Sequence, residues 1–270
     1  MGLSLWLVLE LLATGVVVGF LAGLLGVGGG MMMVPVMTLL LTQRGVDGGL
    51  AVKMAIATSM ATILFTSLSS VRAHHRLGAV RWDLARQLTP GIVLGGLASG
   101  AGAFALLKGQ GLALLFAAFI GYMAVNMLRN KPPQAGRAMP GAAVTGVVGA
   151  AIGFLSGLVG AGGAFMSVPF MTRHNVPPRT AVGTSAALGF PIALASTAGY
   201  VLAGWGLPPA LPGAWGYLHL PGLFIVSLAS MSLAPLGART AQRIQVAQLK
   251  RFFAAMLLLL AASMLYRAFV

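Results

Sequence analysis

The chain has 270 residues, of which 58% are hydrophobic and only 7% charged. A soluble domain carries about 25% charged residues, so this composition excludes a water-soluble globule and suits a helix bundle whose sides face lipid. The net charge of +14 does not indicate nucleic-acid binding, because Lys and Arg lie in short loops between apolar runs. Cysteine is absent and the three carboxylates lie in separate segments. We therefore expect no thiol chemistry, no metal site and no cofactor.

Eight apolar segments follow one another along the chain. A crossing of the bilayer takes about 20 mostly apolar residues. The segments cover 3–42, 50–71, 88–107, 111–128, 141–172, 181–204, 217–237 and 249–268. The first and fifth are interrupted by glycines. The sequence thus predicts an all-α, multi-pass membrane protein folded as one helix bundle.

The two halves of the chain repeat one another. Residues 19–38 read GFLAGLLGVGGGMMMVPVMT and residues 153–172 read GFLSGLVGAGGAFMSVPFMT, with 13 of 20 positions identical. Three further matches recur in the same order: Thr58-Ser59 with Thr184-Ser185, Pro90-Gly91 with Pro221-Gly222, and Phe116-Ala117-Ala118 with Phe253-Ala254-Ala255. Such recurrence predicts two membrane repeats, at 1–130 and 141–270, joined by a cytoplasmic linker at 131–140.

The basic loops change places between the halves. The loop after the second element is basic in the first half, around 72–86, and uncharged in the second, at 205–216. The loop after the third element has Lys108 alone in the first half, whereas 239–251 is basic in the second. By the positive-inside rule the repeats are inverted, with 205–216 outside. Segments 3–42 and 141–172 must then return to their starting sides as re-entrant or pinched hairpins.

Consecutive glycines interrupt both hairpins just before a proline. Glycine lets the backbone leave helical geometry, and paired breaks in two inverted halves indicate a transporter site. The short helix after each break would present free N–H groups to an anion. The candidate site residues are Gly28, Gly29, Gly30, Gly162 and Gly163. The alternative is close helix packing, which suits Gly15, Gly19 and Gly23.

Four hydroxyls and two cations complete the candidate site. The matched pairs are Thr58 with Ser59 and Thr184 with Ser185, and their alternative role is to bond the carbonyl one turn earlier. Lys53 and Arg179 stand five residues before these pairs, either as an electrostatic funnel or as snorkelling side chains. We interpret the lone His219 as a packing residue, and Glu10, which has no repeat partner, as a weak candidate proton carrier.

The doubled pattern GxxxGLxGxGGxxxxVP, each copy followed by A-[IV]-[AG]-T-S, resembles the sulfite exporter TauE/SafE family, also called TSUP transporters. The resemblance covers both halves, with Ala164 in place of the first copy's Gly30 as one departure. It implies a multi-pass protein of the inner membrane that moves sulfite, organosulfonates or related organic anions.

The sequence therefore predicts a secondary transporter of small anions, with its site near mid-membrane. The alternative is an anion-selective channel built on the same site. An ATP-driven pump is disfavoured by the lack of a P-loop motif. An intramembrane enzyme is disfavoured because Ser156 has no placed base and matches Ala22 in the first copy. Direction, coupling ion (H⁺ or Na⁺) and oligomeric state stay open.

Overall fold

The computed structural model describes residues 5–25, 29–129, 136, 138–241 and 246–269, and nearly all of them are helical. The helices are α1 (Leu5–Leu25), α2 (Gly30–Gln43), α3 (Gly48–Arg76), α4 (Trp82–Leu97), α5 (Phe104–Leu106), α6 (Gly109–Arg129), α7 (Ala142–Val159), α8 (Ala164–Arg173), α9 (Pro178–Ala203), α10 (Leu220–Ala241) and α11 (Val246–Phe269). A π-helical segment, Ala98–Ala103, joins α4 to α5. A short antiparallel hairpin pairs β1 (Ala214–Trp215) with β2 (Leu218–His219).

The helices have the length and the surface of membrane spans. In the ranges searched, seven helices are long and apolar enough to cross a bilayer. Large apolar side chains stand on the outside of the bundle, with Leu106 86%, Leu259 72% and Val147 71% exposed. Such a surface is stable in lipid and not in water. The predicted all-α multi-pass membrane protein is confirmed, whereas the π-helical segment and the β-hairpin were not foreseen.

Both interrupted segments turn back on themselves. Helix α2 has 14 residues and α8 has 10, so they measure about 21 and 15 Å and fall short of a crossing. Arg44 at the end of α2 forms an ion pair with Glu10 near the start of α1. Met139, just before α7, packs in a cluster with Met171 of α8. Each pair of helices is therefore a pinched hairpin whose end returns to the level of its beginning.

Each hairpin is covered by a helix of the other half. Helix α1 packs on α10 and α7 packs on α4, while α3 packs on α9 and α6 on α11. The contacts are close: a Cβ added to Gly91 would lie 1.9 Å from the carbonyl oxygen of Gly146, and one added to Gly15 would lie 2.6 Å from Ala229 Cβ. Gly15 and Gly19 therefore serve helix packing, as their spacing of four suggested.

Elements of both halves meet at each end of the bundle. At one end, the start of α3 meets the end of α5 and the segment before α10, through Lys53 with Ala105 and Tyr217. At the other end, the start of α4 meets α8 and the start of α9, through Leu84 with Met171 and Ala181. Inverted halves would make these contacts. The inversion stays a prediction, as do the repeat boundaries, and most of the linker lies outside the described residues.

Candidate functional site

The two breaks have the same backbone geometry. Gly29 precedes α2 with φ 70° and ψ −15°, and Gly163 precedes α8 with φ 74° and ψ −11°. Gly160, which ends α7, also has a positive φ of 70°. Only glycine adopts this left-handed conformation at little cost. The glycine runs are therefore needed by the backbone at these positions, while Gly28 lies outside the described residues.

The breaks meet in the buried centre of the bundle. A Cβ added to Gly30 would lie 2.7 Å from the carbonyl oxygen of Gly160 and 2.6 Å from Ile63 Cδ1. A Cβ added to Gly160 would lie 3.1 Å from Val34 Cγ2 in α2. The glycines of one break therefore leave just enough room for the backbone of the other. The pairing of the two breaks, which the sequence could only suggest, is a direct contact.

The serines hold the breaks in shape. The Ser59 hydroxyl donates to the Gly30 carbonyl at 2.6 Å. In the second half, Ser185 Oγ lies 2.8 Å from Ser167 Oγ, which lies 3.0 Å from the Gly163 carbonyl oxygen. Comparison of the two repeats did not predict Ser167 as a site residue, because Met33 stands at the corresponding position of the first repeat. Both predicted serines thus reach the breaks, one directly and one through a second hydroxyl.

The threonines bind the other half of the chain. Thr58 Oγ1 accepts a hydrogen bond of 3.0 Å from the backbone N–H of His219, and Thr184 Oγ1 accepts one of 3.0 Å from that of Arg81. Thr184 also donates to the Thr180 carbonyl at 2.7 Å, so its proton is used. The Thr58 proton has no acceptor among the described residues, which leaves that hydroxyl able to donate to a ligand.

Free backbone donors gather at both breaks, since the N–H groups of Gly29, Gly30 and Met31 at the first break have no acceptor among the described residues. Within the described part of the chain, the N–H groups of Gly162, Gly163 and Ala164 have no acceptor. They stand at the N-terminus of α8, where the helix dipole presents partial positive charge. Buried polar side chains in the same ranges are hydroxyls and His219, without a buried Lys or Arg. An arrangement of this kind can bind an anion through neutral donors.

The two predicted funnel residues lie in different settings. Lys53 is half-buried, donates to the Ala105 carbonyl at 3.1 Å, and lies 5.6 and 5.5 Å from the ring centroids of Phe104 and Tyr217. Arg179 is exposed in the first turn of α9, at the opposite end of the bundle. The lysine is fixed in place, and the arginine is free to act at long range.

Known proteins match almost the whole chain. The sequence model of the sulfite exporter TauE/SafE family matches residues 11–264. A Haemophilus influenzae protein named "Probable membrane transporter protein" is 32% identical over 95% of this chain and 97% of its own length. "Probable membrane transporter protein MJ0441" of Methanocaldococcus jannaschii is 26% identical over 89% of this chain and 88% of its own length. "Probable membrane transporter protein YunE" of Bacillus subtilis is 28% identical over 76% of this chain and 84% of its own length.

Proposed function

Because the chain belongs to the sulfite exporter TauE/SafE family, we propose that it is a secondary transporter that moves small anions across the inner membrane. Relatives that match 95% and 89% of the chain are named probable membrane transporter proteins. The observation that carries the proposal is the contact between the two breaks, where Gly30 lies against the Gly160 carbonyl. Paired breaks in two halves of a transporter commonly form the substrate site.

The anion would bind against the N-terminus of α8. Three backbone N–H groups, from Gly162 to Ala164, have no other acceptor among the described residues, and the Thr58 hydroxyl has a proton to give. Ser59 gives its proton to the Gly30 carbonyl in this conformation, so it supports the first break rather than donating to the ligand. Donors fixed by a folded backbone need little reorganisation when an anion arrives, which favours binding.

Sulfite, organosulfonates and related compact oxyanions are the proposed substrates. Each offers several acceptor oxygens to several converging N–H donors. The family is named for sulfite export, and small oxyanions of this shape suit a site lined by glycine. Arg179 at one end and Lys53 at the other would raise the local concentration of anions near the two mouths.

A carrier fits this structure better than a channel. Thr58, Ser59 and Thr184 are 0% exposed and Ser185 is 1% exposed, so an anion reaches the site only when one part of the bundle moves against another. A conducting pore would expose these groups to water. Alternating access between the inverted halves supplies such a movement.

Flux through purified protein in liposomes tests the proposal. Uptake of radiolabelled sulfite or methanesulfonate should saturate with concentration and should accelerate when the same anion is loaded inside, because a carrier exchanges substrate. Steady current without saturation would favour the anion channel. Protein that is folded and inserted but moves neither anion would overturn the proposed function.

A further inference from the structure

Helix α10 begins with an unusual capping residue. His219 precedes the helix, and its Nδ1 accepts a hydrogen bond of 3.1 Å from the N–H of Gly222. Leu220 N–H donates to the Gly213 carbonyl at 3.0 Å, and His219 N–H donates to Thr58. Pro221 has no N–H to satisfy. The first turn of α10 is thus fully capped, and only Nδ1 of the imidazole is used for it.

The second ring nitrogen of His219, Nε2, takes no part in the capping. Since Nδ1 is an acceptor, the neutral ring carries its proton on Nε2, which is therefore a donor. The residue is 1% exposed, and Nε2 has no partner among the described residues. Asparagine or serine would cap the helix as well as histidine does. Capping therefore explains one end of this side chain and leaves the buried donor at the other end without a role.

His219 stands between a charged mouth and the breaks. Its backbone binds Thr58, which follows Lys53 by five residues, or about 7 Å of helix α3. The next residue, Ser59, binds the Gly30 carbonyl at the first break. A Cβ added to Gly222 would lie 2.1 Å from Met37 Cε and 2.8 Å from His219 Nδ1, so the capped turn also packs on α2.

From this placement we infer that the Nε2–H of His219 is a direct hydrogen-bond donor to the transported oxyanion. The inference rests on the proposed anion transport and adds a side-chain donor at the start of α10, between the Lys53 mouth and the breaks. A neutral N–H binds the anion without forming an ion pair that would hold it too tightly to release. Arg81, at the corresponding start of α4, makes no side-chain cap and pairs instead with Asp83 at the surface. The second half of the chain therefore supplies this donor through His219, and the first half has no equivalent at Arg81.

Substitutions that keep the cap and remove the distal donor test the inference. His219→Asn and His219→Ser each retain an oxygen able to cap Gly222. We expect both variants to bind sulfite and methanesulfonate about ten- to a hundredfold more weakly, the effect of losing one hydrogen bond to a charged group. Their melting temperature without ligand should stay near that of the wild type. His219→Gln, whose longer amide places an N–H near the position of Nε2, should recover part of the affinity.

The outcomes separate this inference from the proposed function. If the wild type binds both anions and either folded capping variant binds them equally well, His219 is only a helix cap and the inference is wrong. If Gln binds no better than Asn while losing stability, the imidazole serves packing, which also overturns it. If the folded wild type binds neither anion, the proposed function has failed and this inference fails with it.

Discussion

Thr184 Oγ1 accepts a hydrogen bond of 3.0 Å from the backbone N–H of Arg81, and so joins helix α9 of the second half to the start of α4 in the first. The corresponding Thr58 makes the reciprocal bond to His219 at the start of α10. An oxygen that satisfies a free N–H at a helix start stabilises a protein by about 0.5–2 kcal/mol. Each half therefore caps a spanning helix of the other, next to the candidate site.

The two threonines should respond differently to loss of the hydroxyl. Thr184→Val should lower the free energy of unfolding by about 1 kcal/mol and leave anion affinity near that of the wild type, because the Thr184 proton is already given to Thr180. Thr58→Val should lower stability similarly and also weaken binding, about tenfold or more. Thermal unfolding in detergent with and without methanesulfonate measures both effects.

Thr89 offers a control for these substitutions. Its hydroxyl only bonds the Ala85 carbonyl one turn earlier, at 2.7 Å. Thr89→Val should change neither the free energy of unfolding nor the affinity for methanesulfonate by much. Equal loss of affinity in Thr184→Val and Thr58→Val would mean that both hydroxyls contact the ligand, as their sequence positions alone suggested.

How far the sequence could predict this structure depends on whether each feature is local. The glycine breaks were predictable because a left-handed backbone at Gly29 and Gly163 requires glycine whatever surrounds it. The capping role of Thr184 was not, because its partner Arg81 lies 103 residues away. The second role of His219 was hidden for the same reason: its neighbours come from three elements. One sequence therefore predicted where the glycine breaks lie better than what each side chain does beside them.

The predicted inversion of the halves can be tested by chemical labelling. The chain has no cysteine, so single cysteines report one position each. Leu77, at the end of α3, is 61% exposed, and Ala210 is exposed in the loop before β1. A membrane-impermeant maleimide should label Ala210→Cys in intact cells and Leu77→Cys only after the membrane is opened. Labelling of both from the same side would contradict the inverted arrangement.

Blocking the second break should stop transport. Gly162→Leu places a bulky side chain beside the free N–H groups at the start of α8, in a buried segment. We expect sulfite flux to fall at least about tenfold, a barrier increase of about 1.4 kcal/mol, while the protein still inserts and stays monodisperse. Gly121 in α6 is the matched control, because a Cβ there would meet nothing within 4 Å. Normal sulfite flux through Gly162→Leu would mean that the second break is not part of the substrate site.

The two cationic residues should differ in their dependence on salt. Arg179 is exposed, so its attraction for anions is screened over about 10 Å at 0.1 M ionic strength. Arg179→Gln should slow uptake at low salt and have little effect at high salt. Lys53→Gln should also lower stability, because it removes the bond to Ala105 and the contacts with two aromatic rings. Loss of binding in Arg179→Gln at every salt concentration would instead indicate a direct ion pair.

The lack of a buried cation around the breaks should set the charge of the preferred substrate. In the described ranges the buried polar side chains are hydroxyls and one imidazole, and the free donors of α8 are neutral. Taking an ion out of water into such a site costs more as its charge rises, and without a countercharge a dianion regains less of that cost.

We therefore expect methanesulfonate, a monoanion, to bind at least about tenfold more tightly than sulfate, a dianion with similar oxygens, which is a difference of about 1.4 kcal/mol. Calorimetric titration of both anions into the same purified protein measures the ratio, and Gly162→Leu should abolish both signals if they come from the break. Tighter binding of sulfate would mean that a cation joins the bound state. Repeating the titrations with Lys53→Gln and Arg179→Gln would then identify it, since only the variant lacking that cation would lose its preference for the dianion.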